Sequence, residues 1–277
     1  MALVINTNIA SISAVNRMNK TQNLLNSSLA KLSSGSRITR SADDAAGLAI
    51  SEKLVANIRS SNQAARNATD GVSLIQTAEG GLNQISDILI RLRELGIQSA
   101  SDTVGAQERQ FADLEFQNLI AEIDRISQST EFNGKKLISG EGESLEFQVG
   151  VNNNPEVDRI VYSPQNSDAG VDALGISGVN VLTKEDAQDS LSVLDDAIGV
   201  VNSNRATLGA LQNRLQKTIE NLQTSSENLS AANSSIRDAD IAQESAEFAK
   251  ATVLMAANTA MVAQANATPQ IALRLIS

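Results

Sequence analysis

The 277-residue sequence contains no cysteine, no histidine and no tryptophan, and it has one tyrosine (Tyr162) and three prolines. Without Cys there are neither disulfides nor thiolate metal sites. Without His, the side chain that most often serves as general base or metal ligand near neutral pH is missing. Aromatic residues make up only 2% of the chain, too few large side chains for a compact core of ordinary shape. The net charge of −10 has the wrong sign for a nucleic-acid backbone, which demands clustered Lys and Arg, so no nucleic-acid partner is expected. No run of eighteen apolar residues occurs, so no membrane span is expected. The opening Met1-Ala-Leu-Val-Ile-Asn lacks the basic region and long apolar core of a secretory signal.

What remains is Ala, Leu and Ile among Ser, Asn and Gln, set out at helical spacing. The longest such stretch runs from Leu191 to Ile236. Stepping by sevens, Leu194, Val201, Leu208, Leu215, Leu222, Leu229 and Ile236 are all apolar. The companion positions three residues earlier begin with Leu191 and Ile198 and include Ile219. A sustained seven-residue period favours a left-handed supercoil against partner helices, so these seven residues are the expected bundle core. At 1.5 Å per residue the stretch is a helix of about 70 Å, which cannot bury its stripe alone. The period then slips at Arg237-Asp-Ala-Asp240, and a new series starts at Ile241 and continues through Phe248, Met255 and Val262. The slip is read as a domain boundary without a helix break.

Earlier in the chain, Ile5, Ile9, Ile12, Val15, Met18, Leu25, Leu29 and Leu32 recur at three- and four-residue steps, an amphipathic helix over residues 1–33 that stops at Gly35. A second helix starts near Asp43-Asp44 and runs to about Gly96, with the Asp side chains in its first turn. A third covers Ala106 to Ser129 and ends at the turn Asn133-Gly134. Residues 135–182 differ: Leu145–Val151 and Val157–Tyr162 alternate with period two around Asn152-Asn-Asn-Pro155, a small β-hairpin region. Thr183-Lys-Glu-Asp186 has capping-box spacing ahead of the long helix. The last helix ends before Pro269.

The expected fold is therefore mainly α, an elongated antiparallel helical bundle or coiled coil with a small β-hairpin region mid-chain. Both ends carry amphipathic helices, and two helices pairing alone leave apolar surface that further copies of the chain would cover. The expected polymerisation stripe is Ile5, Ile9, Ile12, Leu25, Leu29 and Leu32 with Ile241, Phe248, Met255 and Val262. The close carboxylates Asp43-Asp44 and Asp238/Asp240 are helix-start residues, with no His or Cys beside them to make a metal or acid–base centre. No catalytic residue, cofactor or metal is expected, and the chain is not read as an enzyme.

These residues also resemble a known family. Ile5-Asn-Thr-Asn8, Leu29-Ala-Lys-Leu-Ser-Ser-Gly35-Ser-Arg-Ile38, Asp43-Asp-Ala-Ala-Gly-Leu-Ala-Ile50, Gln76-Thr-Ala-Glu-Gly-Gly-Leu82, Arg91-Leu-Arg-Glu-Leu95, Phe132-Asn-Gly134 and Phe147-Gln-Val-Gly150 closely resemble bacterial flagellin, as do Ile236-Arg-Asp-Ala-Asp240 and Ala263-Gln-Ala-Asn266. The resemblance implies a structural subunit that self-polymerises through its terminal helices into the hollow flagellar filament used for motility. A hook–filament junction protein, which shares the terminal helices, is the alternative. It implies an inner terminal coiled-coil domain (1–43 with 237–277) and an outer helical domain (44–236), without the large variable outer domains of many members. It further implies export by the flagellar type III pathway without a cleaved signal, and an extracellular place in the filament. The implied partners are other copies of the chain, an export chaperone, the filament cap, hook-associated junction proteins and a host flagellin-sensing Toll-like receptor. By the same resemblance, Arg91, Leu95 and Glu115 are receptor-recognition and filament-contact residues, while Ile90 and Phe116 depart from the polar or smaller neighbours of the family pattern.

Overall fold

The computed structural model describes the backbone of residues 7–276 and the side chains of residues 7–267. Among the described residues six α-helices and four short strands follow in the order α1 (Ile9–Ser34), α2 (Ala45–Ser99), α3 (Ala106–Ser129), β1 (Glu131–Phe132), β2 (Lys135–Lys136), β3 (Leu145–Gln148), α4 (Pro155–Asp158), β4 (Arg159–Tyr162), α5 (Lys184–Arg237) and α6 (Ile241–Ile276). The mainly α fold with a mid-chain hairpin is as the sequence indicates. Two compact units are present, residues 57–227 and residues 1–56 with 228–277. Their limits fall within α2 and α5, the first later in the chain than the expected boundary at 43 and the second earlier than that at 237.

The unit of residues 57–227 holds the main core. Leu82, Ile85, Leu89 and Leu92 of α2 meet Phe116 and Ile123 of α3 and Leu194, Val201, Leu208 and Leu215 of α5, all essentially buried. The helices are tied at their rims by Arg93 to Asp195 (2.6 Å) and by Ser226 to Asn62 (3.1 Å), pairings that fix α2 and α5 as antiparallel. Both ion-pair partners are largely exposed, so the pair orients the helices more than it stabilises them. Thr183 starts α5 as predicted: its Oγ1 accepts from the Asp186 amide and donates to that carboxylate.

The seam weakens past Leu215. Leu222, Leu229 and Ile236 are only half-buried, a correction to the expected seven-residue core. α3 ends at Ser129, and the hairpin meets α2 at Asn67, whose amide donates to the Gln148 carbonyl. Earlier in α2 the buried residues are small, Ser51, Ser61 and Ala64, and Ser51 donates to Asn233 of α5. Two helices with a small-residue partner face cannot enclose a Leu on every side.

The β insert is built from local side-chain chemistry. Strand β3 pairs antiparallel with β4, Leu145 opposite Tyr162 and Gln148 opposite Arg159. The second strand starts at Arg159 and not at Val157, because Asn154 caps a single helical turn over Pro155–Asp158 and the Asp158 carboxylate takes the Asn154 amide. Asn133-Gly134, expected as a helix-ending turn, also closes a second small hairpin, β1 with β2, both turn residues having positive φ. Leu137 and Ile138 then enter the core. Tyr162, buried, donates its hydroxyl to the Leu137 carbonyl. Burial pushes the phenol pKa above its ordinary value. Tyr162→Phe strands that carbonyl in an apolar setting and should cost about 1–2 kcal/mol in chemical denaturation; an unchanged midpoint would show that the bond contributes nothing. Gly81 is required by a close approach, since a Cβ there would stand 2.7 Å from Thr130 Oγ1 and 2.8 Å from Ile138 Cδ1.

In the other unit, α1 begins at Ile9 because the Asn8 side chain accepts from the Ser11 amide, and it stops where Gly35 takes a left-handed φ of 68°. A helix break does occur at 238–240, contrary to expectation. Asp240 Oδ1 accepts from the Ala242 and Gln243 amides, so its side chain starts α6 as a cap and does not continue α5. Helix α6 also runs through Pro269 to Ile276, where the sequence pattern ends it earlier.

The two expected helix-start carboxylates divide their work. Asp44 Oδ1 accepts from the Gly47 amide at 2.8 Å and caps α2, whereas Asp43 lies one residue outside and holds the preceding loop. Its Oδ2 accepts from the Thr39 amide, the Arg40 amide and the Thr39 hydroxyl, and those bonds, the Thr39 amide first, hold its pKa below the ordinary 3.8. A lowered folded-state pKa means that the stabilisation is in place above 3.8 and is lost as pH falls through the lowered value. The Thr39 and Arg40 amide shifts should therefore titrate together below 3.8, and Asp43→Asn should abolish that titration. Titration at or above that value would refute the assignment.

Candidate assembly surfaces

Helices α1 and α6 pack along one another. Their direction follows from the pairings Ser11 Oγ to Asn266 (2.6 Å), Asn258 Nδ2 to Thr21 (2.8 Å) and Lys31 to Glu244 (3.7 Å), in which rising numbers on α1 meet falling numbers on α6. The helices approach over small residues, Ser28 and Ala251, both buried. Around them Val15, Met18, Leu25, Leu32, Phe248, Met255 and Val262 are half-buried.

The expected polymerisation stripe therefore splits. Leu25, Leu32, Phe248, Met255 and Val262 are partly covered, and only Ile9, Ile12, Leu29 and Ile241 stand open, Ile9 at 71% exposure. Ile5 lies outside the described residues. A heptad template misplaced the open face because α1 and α6 meet over Ser and Ala, so the larger apolar side chains flank the contact on both sides. Leu24 and Val253 were missed, and with Leu254 and Met261 they extend the open surface; Val253 is 70% and Met261 62% exposed. Their signal was legible as apolar residues directly beside the heptad positions.

The second surface is on α2 and α3. Arg91 Nε and Nη2 both donate to Glu115 Oε1 (3.0 and 2.9 Å) while Nη1 donates to Glu94 at 3.0 Å. Those carboxylates, Glu94 first, raise the guanidinium pKa further above its ordinary value, so Arg91 is a permanent cation. The structure thus brings Arg91 and Glu115 together. Leu95 is different: at 2% exposure it belongs to the core beneath them and cannot itself be touched by a partner. Phe116 is likewise fully buried, whereas Ile90, Ile97, Phe111 and Leu114 are open.

Among the described residues no group of three or more acidic side chains could hold a metal ion, and no helix is long and apolar enough to cross a membrane.

Comparison with known proteins bears on what such surfaces serve. Residues 5–143 match the description "Bacterial flagellin N-terminal helical region" and residues 191–276 the "Bacterial flagellin C-terminal helical region". The chain is 42% identical to a flagellin of Halalkalibacterium halodurans over 99% of its own length and 100% of that protein. It is 44% identical to a Bacillus subtilis flagellin, over 98% of this chain and 99% of that one. Among solved structures, a Bacillus cereus flagellin aligns with a TM-score of 0.50 and 31% identity, covering 61% of this chain and 94% of that chain. A putative flagellar hook-associated protein from Vibrio parahaemolyticus shares the fold at a TM-score of 0.58, with 13% identity, over 71% of this chain and 100% of that one. Full-length identity above 40%, with both terminal helical regions matched in order, identifies this chain as a member of the bacterial flagellin family.

Proposed function

We propose that this flagellin is the structural subunit of the flagellar filament and polymerises by covering the open apolar residues of α1 and α6 with further copies of itself. The observation that carries this is Ile9, Ile12, Leu29, Val253 and Met261 standing exposed on helices that pack along one another. Burying such residues is worth about 1.5–3 kcal/mol each, far more than one isolated pair gains by leaving them in water. The family is structural and not known for catalysis. Identity at 42% and 44% over nearly full length favours a filament subunit over a junction protein, for which the 13% likeness speaks to the fold alone.

The finer reading follows the family. The chain is exported without a cleaved signal, escorted by an export chaperone, and added beneath the filament cap beyond the junction proteins. Arg91 and Glu115, exposed and locked to one another, form a contact along the filament and a surface that a host Toll-like receptor reads, with Leu95 supporting them from below. The test is a pelleting assay with negative-stain microscopy on the full chain, with and without filament seeds. Filaments uphold the reading; a chain that stays monomeric even with seeds overturns it.

A further inference from the structure

Helix α5 ends at Arg237; its Ser234 carbonyl still accepts from the Asp238 amide, but the carbonyls of Ile236 and Arg237 lie beyond the last helical donor. These two are taken by the segment that follows α1. Arg37 Nη2 donates to the Ile236 carbonyl at 2.7 Å, the Arg37 amide donates to the Arg237 carbonyl at 2.7 Å, and the Ala239 amide returns to the Gly35 carbonyl at 2.9 Å. Ser36 and Asp238 form the antiparallel bridge between these bonds. At the opposite end of the α1/α6 pair the same device recurs. Helix α6 runs through Pro269, which has no amide hydrogen for the carbonyl four residues back, that of Ala265. That carbonyl accepts from Asn8 Nδ2 at 2.7 Å, while Asn8 Oδ1 caps α1 through the Ser11 amide.

We infer that Arg37 and Asn8 are positioning residues that set the register of α1 against α6, each recognising a carbonyl that an interruption in the C-terminal helices leaves unpartnered. A register mark is needed because the seam between them is poor in specificity. Its buried points are Ser28 and Ala251, and a one-turn slip of an Ala/Ser seam meets nearly the same surface. The carbonyls of Ile236 and Ala265 do not repeat along the helix, so a slipped pair satisfies neither. Fixing the register fixes the relative heights of Ile9 and Ile12 on α1 and Val253 and Met261 on α6, the surface that the filament reading above requires; the inference deepens that reading and rests on it for its purpose.

The absence of cysteine makes a cross-linking test direct. Thr21→Cys with Asn258→Cys reports the native register, since these side chains bond at 2.8 Å; Thr21→Cys with Leu254→Cys or with Val262→Cys reports a slip of one turn. Intramolecular disulfide yields are compared in the free chain and in pelleted polymer. Arg37→Ala should lower the native-to-slipped ratio roughly tenfold, the weight of one charge-assisted hydrogen bond, and Asn8→Asp by roughly several-fold. Asn8→Asp keeps the oxygen that caps α1 and removes only the donor to Ala265, so helix content should not change. Pro269→Ala supplies the missing amide hydrogen to the Ala265 carbonyl in every register, so by itself it should lower the ratio, and it should restore nothing in the Asn8→Asp background. An unchanged ratio in both the Arg37→Ala and Asn8→Asp variants, or a ratio restored by Pro269→Ala in the Asn8→Asp background, overturns the inference. A wild-type chain with a native-register cross-link that never pellets would refute the filament reading and uphold the register assignment.

Discussion

Val253→Asp and Met261→Asp should each raise the critical concentration for filament formation at least tenfold, while the melting of the monomer stays within about 0.5 kcal/mol of wild type. The side chains are 70% and 62% exposed, so a carboxylate at either position remains solvated in the free chain. Surface changes of that kind are nearly neutral for folding. In an assembled filament each would lose about 1.5–3 kcal/mol of apolar burial and would leave a desolvated charge, and each 1.4 kcal/mol is a factor of ten in association. Phe248→Asp is a different experiment. Phe248 is half-buried, so its charge disturbs the pairing of α6 with α1 before any second copy arrives. Pelleting at a series of concentrations, beside thermal unfolding by circular dichroism, separates the two. Normal filaments from Val253→Asp and Met261→Asp together would show that this face is not an interface between copies.

The second large effect is in the core of residues 57–227. Phe116→Ala should cost about 3–5 kcal/mol and Leu208→Ala about 2–5 kcal/mol, because both side chains are fully buried in the same core cluster and their removal leaves a cavity. Leu222→Ala should cost clearly less than Leu208→Ala. The two residues are two heptads apart on the same seam, yet Leu222 is half-exposed and water fills the vacated space. The contrast is the informative quantity, since any difference in helix propensity from the Leu→Ala change is common to both. Urea titration of the three variants measures it, and equal losses at 208 and 222 would mean that the seam is enclosed over its whole length.

The sequence was most legible where one residue decides its own surroundings. The start of α3 at Ala106 and the cap of α5 at Thr183 depend on bonds spanning three or four residues, and the stop at Gly35 on that residue's own left-handed backbone; all three are legible in the sequence. The hairpin strand Leu145–Gln148 was legible in outline, because period-two alternation is a local signal too, but its register with Arg159–Tyr162 was not. Where two local signals competed, pattern alone was insufficient: Val157 fits the alternation, yet Asn154 and Pro155 fold it into a helical turn. Pro269 was read as a stop because its missing amide is a local cost, and the donor that relieves it, Asn8, lies at the other end of the chain.

The candidate surfaces follow the same division. Composition and period determined that this chain makes long amphipathic helices and that its ends carry more apolar surface than one pair can cover. Periodicity reports which residues share a face of a helix; it does not report what lies opposite. That is why the seven-residue period runs on through Leu222 although the fully buried core ends before it, and why the open face of α6 includes Val253, off the heptad; Leu95, given a contact role by the family resemblance alone, lies in the core. Tertiary structure decided those points, because burial depends on where α3 and the hairpin stop covering α2, and on α1 and α6 meeting over Ser28 and Ala251. Such contacts join residues far apart in the chain and leave no mark on the local pattern.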